Sequence, residues 1–365
     1  MYIQIIKSVI VKGSIKMSSK EKMNSSEKLR TEKPSKLIVN LSVPAMVGIF
    51  VMALYNLVDM FYISLVEGVD AVAGLTVSFP VMMIVMTLAS AIGVGTASVI
   101  SRRLGEKRLD ESNKIFGTFI FLILLISVVS ILIGMFLLED LLILFGATEH
   151  IIGHATDYML PILLGFIFVS FSMAVNNVIR AEGNAKFAMY ATSIPAIINI
   201  MIDPILIFDF GFGLGVMGAG IATVISQAIM SIIILIYYYK GYSSLTIYLQ
   251  NIKMRISTIK EIVAIGFPTF MHAASFSIIA IVINTMLLQY GGDMYLAAFG
   301  VVQRVIAFAV IPINGVMQGM LPIVGYNYGA ELYERMRKTI WLSLGYVVIT
   351  SVVVVLLVQL FLSMP

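Results

Sequence analysis

The sequence lacks cysteine altogether and is poor in histidine and in charge of either sign. Without cysteine, disulfides, thiolate metal sites and cysteine nucleophiles are excluded, whatever the compartment. The three histidines leave little for a catalytic metal cage. Only 12% of the 365 residues are charged, which is about half the share found in soluble proteins. A soluble enzyme is therefore nearly excluded, and no span carries a nucleophile–base pair that would indicate an intramembrane enzyme.

Apolar residues dominate instead. They make up 59% of the chain, and the mean hydropathy is +1.00. Since a bilayer core of about 30 Å needs about 20 apolar residues per helix, apolar stretches of that length are candidate spans. The sequence predicts an all-α, polytopic membrane protein with nine spans: 38–63, 71–100, 115–138, 155–179, 187–209, 215–239, 261–288, 295–325 and 338–363.

The basic residues alternate between the two sides of these spans. Nine Lys or Arg precede the first span, and each later connection on the same side carries two to five more. The connections on the other side carry none and contain acids such as Glu67, Glu149 and Asp209. By the positive-inside rule the N-terminus is expected in the cytoplasm of a multi-pass protein of the cytoplasmic membrane. We therefore interpret the excess of basic residues as setting the orientation of the chain in the bilayer. No nucleic acid is expected as a partner.

An internal repeat appears when the chain is shifted by about 224 residues. The aligned pairs are Pro44 with Pro268, Gly68 with Gly292, Ala73 with Ala297, Gly95 with Gly319 and Gly105 with Gly329. Repeated halves are typical of secondary transporters, and an offset of six spans predicts parallel six-helix repeats. The predicted organisation is a cytoplasmic arm (1–37), a first lobe (38–240), a cytoplasmic linker (241–260) and a partial second lobe (261–365). Nine of an expected twelve spans are present, so the sequence is interpreted as truncated after the ninth.

Two acids lie well inside predicted spans, where an ionisable group is costly and indicates a functional site. Asp59 belongs to the first span and Asp203 to the fifth. Asn199 lies one helical turn before Asp203, Asn56 lies three residues before Asp59, and Thr223 of the sixth span has a similar depth. We predict that these five side chains form one polar pocket. Their oxygens suit a proton or a hard cation such as Na⁺.

Three further residues are assigned to the walls or the support of a substrate cavity. These are Pro44 in the first span, Asn176 in the fourth and Arg304, which is the one basic residue inside a span. For Arg304, a structural ion pair or a lipid-headgroup contact is an equally good explanation. No resident metal or cofactor is expected.

At these residues the chain resembles the multidrug and toxic compound extrusion (MATE) family. The similar stretches are Pro44 with 55–59, 95–97 with 101–105, 180–184, 199–204, 218–223 and 325–330. The resemblance covers roughly residues 38–340 and implies two six-helix lobes that form a V. It also implies a cation site at positions matching Asp59, Asn199, Asp203 and Thr223. Some branches of the family add an acid in the seventh span, but 267–272 contains none.

The leading functional hypothesis is a Na⁺- or H⁺-coupled antiporter that exports small cationic amphipathic compounds. One alternative is a flippase for lipid-linked saccharides of the same wider fold, although two intramembrane acids favour cationic cargo. Another is a fragment that does not transport. The sequence does not indicate the oligomeric state.

Overall fold

The computed structural model describes residues 27–362, apart from the side chains at 69–70, at most positions between 276 and 308, and at several beyond 356. This part of the chain is helical almost throughout and contains no strand. The helices are α1 (Pro34–Val66), α2 (Gly68–Gly105), α3 (Leu109–Leu144), α4 (Ile152–Leu164), α5 (Phe166–Ala181), α6 (Ala185–Ile207), α7 (Gly215–Tyr239), α8 (Ile256–Gly329) and α9 (Tyr333–Leu362). The all-α membrane fold predicted from hydropathy is confirmed.

Seven helical segments of the described chain are long and apolar enough to cross a membrane, or eight if α4 and α5 count as one bent span. The predicted first, second, third, fifth and sixth spans correspond to α1, α2, α3, α6 and α7. Most of these helices extend a few residues beyond the predicted limits. Such extensions are expected because a helix can continue past the hydrocarbon into the interfacial region.

The predicted fourth span is not one straight helix. It is divided into α4 and α5, which meet at Gly165 with a bend of 64°. Pro161 has no N–H for the helix ladder, and Gly165 lies so close to Val224 of α7 that a Cβ there would overlap the valine side chain. Bends of this kind have identifiable local causes, here a proline and a close approach.

Helix α8 includes two of the predicted spans, because residues 256–329 are helical without a break. The contacts of its two ends nevertheless show that its first and last parts run in opposite directions. Its first part runs antiparallel to α2, since Ile262 faces Gly95 and Gly266 faces Ala91. Its last part runs antiparallel to α1, since Gly315 faces Met46 and Gly319 faces Ser42. Because α1 and α2 form a hairpin around Glu67, the two parts of α8 point in opposite directions. This is the arrangement predicted for the seventh and eighth spans.

The interior of the bundle is built from two clusters of buried apolar side chains. One includes Phe116, Phe119 and Tyr238, and the other includes Ile63 and Ile207. Many large apolar side chains face outward instead, such as Phe136 and Val348. An apolar exterior over a packed interior is what a lipid environment requires. We call the end of the bundle that carries Arg102, Arg103 and Arg108 the basic end.

Candidate functional site

Helices α1, α6 and α7 bring four of the predicted residues into one buried cluster, away from the basic end. Asp59, Asn199, Asp203 and Thr223 are exposed by only 3%, 1%, 0% and 5% respectively. The Asn199 Nδ2 donates a hydrogen bond to Asp203 Oδ1 at 3.0 Å, and the carboxylates of Asp59 and Asp203 interact electrostatically. We call these four residues the acid cluster.

Each member of the acid cluster has a buried oxygen that lacks a hydrogen-bond partner among the described residues. These atoms are Asp59 Oδ1, Asn199 Oδ1, Asp203 Oδ2 and Thr223 Oγ1. A buried acceptor without a partner costs about 1–3 kcal/mol, and more when it is charged. Such costs persist at functional sites, where a ligand supplies the missing partner. The set consists of oxygens alone, which is the donor chemistry of a hard cation; a carboxylate oxygen can equally take a proton.

Asn56 does not join the cluster, contrary to the prediction. Its side chain is exposed, and its Nδ2 donates to Met52 O of the same helix at 3.0 Å. The residue that shares the face of Asp59 is Tyr55, which is buried. On a helix with 100° between residues, a position four residues away deviates from the same face by about 40°, and one three residues away by about 60°. The two deviations are in opposite directions, so Tyr55 and Asn56 lie about 100° apart around α1, which here places one in the interior and the other on the exterior.

Pro44, another predicted support residue, lies apart from the acid cluster. Pro44 is inside α1, about four turns before Asp59, next to the segment of α8 around Gly315. The side chain of Arg304 falls outside the described residues, so its role at the cavity stays a prediction.

A cavity of about 170 Å³ adjoins the acid cluster, between α1, α2, α5, α6, α7 and α8. Tyr55, Asn199 and Thr223 belong to its wall, whereas the two aspartates do not line it. Met52, Met86 and Met173 supply flexible apolar surface. Asn199 and Thr223 therefore contact both the acid cluster and the cavity.

The wall of the same cavity also carries a polar group built around Asn176, which the sequence analysis assigned to the cavity. The Asn176 Nδ2 donates to Ala188 O at 2.7 Å and to Thr192 Oγ1 at 3.2 Å. Its Oδ1 accepts from Arg180 Nε at 2.9 Å. Sequence reasoning missed Arg180, because it counted this arginine among the topology-setting residues of a connection. The four-residue spacing from Asn176 was the available signal, since it places both residues on one helix face.

Glu182, directly after α5, is a second residue that the sequence analysis did not select. It is buried, and its carboxylate accepts hydrogen bonds from Tyr238 Oη at 3.1 Å, Ser243 Oγ at 2.5 Å and Ser244 N at 2.9 Å. Burial raises the pKa of Glu182 to about 7, although these hydrogen bonds act in the opposite direction. The contacts fix the connection between α7 and α8, so we assign Glu182 a structural role.

Comparison with known proteins gives concordant results. The MatE family model matches residues 44–205 and 268–364. The multidrug export protein MepA of Staphylococcus saprophyticus is 27% identical over 318 residues, which are 87% of this chain and 68% of MepA. MepA of Staphylococcus aureus strain N315 is 26% identical over 323 residues, covering 88% and 71%.

Solved structures resemble the whole described bundle. The MATE multidrug transporter DinF-BH, solved with a bound ligand, superposes with a TM-score of 0.82 at 48% identity, covering 90% of this chain and 73% of that one. A MATE protein in complex with MaD3S gives a TM-score of 0.86 at 29% identity, with coverages of 92% and 75%.

Proposed function

Because the chain belongs to the MATE family, whose relatives described above include multidrug exporters, we propose that it is a cation-coupled antiporter of the cytoplasmic membrane. It exports small cationic amphipathic compounds in exchange for Na⁺ or H⁺. The acid cluster binds the coupling cation, and the adjoining cavity binds the organic substrate. The transported compounds and the coupling ion are the only small-molecule partners that this proposal requires.

The observation that carries the proposal is that Asn199 and Thr223 serve both sites. Their oxygens Oδ1 and Oγ1 lack partners in the acid cluster, and the same two side chains line the cavity. A cation that draws these oxygens inward changes the wall against which a substrate packs. Binding at one site thereby alters binding at the other, as antiport requires.

The energetics give this coupling its direction. Without a cation, the two buried carboxylates of Asp59 and Asp203 repel each other and leave oxygens without partners. A proton or Na⁺ removes the repulsion and supplies the missing contacts. The cation thus stabilises an arrangement in which α1, α6 and α7 are drawn together beside the cavity. We propose that this arrangement has the lower affinity for the substrate and so releases it.

The variant Asp203→Asn tests the proposal, because it removes the charge and keeps nearly the same volume. We expect it to insert into membranes normally and to lose ethidium efflux in whole cells by at least about ten-fold, in line with the loss of a charged contact. In purified protein we also expect Na⁺ or acid pH to stabilise the parent against heat more than the variant. Which of the two cations does so identifies the coupling ion.

Asp209→Asn is the matched control, since Asp209 is an exposed acid just beyond the end of α6. It should export ethidium at the parental rate. Parental efflux by Asp203→Asn would disprove the coupling role of the acid cluster. A parent chain that inserts into the membrane yet exports nothing would disprove the transport function itself.

A further inference from the structure

The cavity wall contains a positive charge that the cation-coupled mechanism does not use. Of the described residues that line the cavity, Arg180 alone carries a formal charge. The neighbouring wall residues are neutral amides and hydroxyls, including Asn177, Thr192 and Gln227. A site suited only to cationic cargo would have no need of a guanidinium on its wall.

The guanidinium of Arg180 is held in place but only partly satisfied. Its Nε donates to Asn176 Oδ1, and the Asn176 amide is in turn anchored on Ala188 O. Its Nη1 is buried and has no hydrogen-bond partner among the described residues. The charged group nearest in sequence, Glu182, already accepts hydrogen bonds from α7 and from the linker that follows it. Arg180 thus has an orienting partner and lacks a counter-ion in the described structure.

An arginine with a free, buried N–H edge is suited to a planar anion. A carboxylate can accept two parallel hydrogen bonds from the guanidinium, a geometry that neutral acceptors cannot match. We propose that the Arg180 side chain is an anion-binding subsite of the cavity, and that the exported compounds include zwitterionic amphiphiles whose carboxylate pairs with it. This inference rests on the proposed function, and what it adds is the residue that recognises the anionic group of such a substrate.

The spacing of the polar groups along α6 agrees with such a ligand. Arg180 is anchored through Asn176 to the turn of α6 that contains Ala188 and Thr192. Asn199 and Asp203 lie further along the same helix, and eleven residues of helix from Thr192 to Asp203 span about 16 Å. The turn of α6 that anchors Asn176 is therefore about 16 Å of helix away from Asp203, a length comparable to that of an extended zwitterionic dye. The methionines Met52, Met86 and Met173 provide apolar surface for its body.

Two fluorescent dyes that differ in a single group provide the test. One is a zwitterionic rhodamine with a free carboxylate, and the other is its methyl ester, a plain cation. Binding of each to the purified full chain is measured by fluorescence polarisation, and export of each is followed in cells. We expect the parent to bind and export both dyes. Arg180→Gln should weaken binding of the zwitterion by about ten-fold or more, the size of a lost charge-assisted hydrogen bond. Binding of the ester should change less than about two-fold.

A second variant keeps Arg180 and supplies it with a counter-ion. Asn176→Asp is nearly isosteric and places a carboxylate on the atom that Nε already contacts. It should also reduce binding of the zwitterion selectively. Lys186→Gln removes an exposed positive charge near the start of α6 and should leave both dyes unaffected.

The possible results separate this inference from the proposed function. Selective loss of the zwitterion in both variants supports the subsite. Equal loss of both dyes in the variants, or no loss of either, overturns it, and export of the ester by the parent chain then still supports the antiporter. If the parent binds and exports neither dye, both the subsite and the proposed function are wrong.

Discussion

Ionisable side chains in the interior of this protein differ in how fully their hydrogen-bonding atoms are satisfied. Glu182 is surrounded by donors, whereas Asp59, Asp203 and Arg180 each keep a buried atom without a partner among the described residues. A buried ionisable group whose hydrogen bonds are all made is expected to stabilise the fold. One that keeps an atom without a partner is expected to bind a ligand or an ion. This distinction divides the buried charges into structural and functional groups.

Glu182 provides a stability prediction at this scale. Its pKa is about 7 in the fold, against an ordinary value of 4.5, so folding favours the protonated form. This contribution to stability is fully present below about pH 4.5 and is lost as the pH rises through 7. The difference corresponds to about 3 kcal/mol. Thermal unfolding in detergent should therefore show a larger loss of stability as the pH rises from about 4.5 to beyond 7 for the parent than for Glu182→Gln.

Ser243→Ala is the companion variant, because it removes a hydrogen bond that lowers the pKa of Glu182. Its loss of stability should therefore occur at higher pH than in the parent. Identical pH profiles for all three proteins would show that Glu182 does not titrate in this range.

Among the elements, the start of α7 depends on a side chain from a different hairpin. Glu67, between α1 and α2, accepts a hydrogen bond from Val216 N at 3.1 Å through Oε1. Its Oε2 pairs with His154 Nδ1 of α4 at 2.9 Å. A carboxylate at a helix N-terminus satisfies a free N–H and interacts well with the helix dipole. One residue thus joins α4 and α7 to the turn of the first hairpin.

Replacing this carboxylate tests the connection. Glu67→Ala should lower the free energy of unfolding by about 1 kcal/mol, the usual value of a helix cap, as measured by thermal unfolding in detergent. Glu149→Ala changes an exposed acid in the connection between α3 and α4 and should have no measurable effect. Equal stability of the two variants would mean that the contact of Glu67 with Val216 contributes nothing.

On the scale of the whole molecule, α1 and α2 of the predicted first lobe pack tightly on α8 of the predicted second lobe near the basic end. Glycines allow the close approach: Gly105 contacts Tyr326 O and Gly325 contacts Ser101. Ion pairs from Glu261 to Arg102 at 3.4 Å and to Arg103 at 3.5 Å lie beside these contacts. If transport alternates access between the two sides of the membrane, this contact must open during the cycle.

The absence of cysteine allows a direct test of that movement. In Ser101→Cys/Gly325→Cys, the added Cβ at 325 would lie 3.1 Å from the Cβ of residue 101, slightly closer than in a typical disulfide. Oxidation should form the cross-link and reduce dye export by at least about ten-fold, and a reductant should restore it. Each single-cysteine variant is the control and should be insensitive to oxidant. Full export by the cross-linked protein would show that this contact stays closed throughout transport.

Sequence patterns alone determined the all-α membrane architecture, most of the helices and the residues of the acid cluster. Long apolar stretches have few alternatives to a helix in lipid, because every backbone polar group must be satisfied within the segment. An acid inside such a stretch is conspicuous for the same reason. The choice of Asp59 and Asp203, with Asn199 one turn from the latter, needed no knowledge of packing.

Tertiary structure decided which side chains of a helix point into the bundle and where contact with a neighbouring helix interrupts it. It placed Tyr55 beside Asp59 where the sequence suggested Asn56, since these two neighbours lie on opposite sides of Asp59, about 100° apart around α1, and only packing shows which side is the interior. It divided the fourth span at Gly165, because the close approach of Val224 cannot be read from the local sequence. It also put Arg180 on the wall of the cavity. A charge near the end of an apolar stretch indicates orientation in the sequence, and only the packing of α5 against α6 shows that it faces inward.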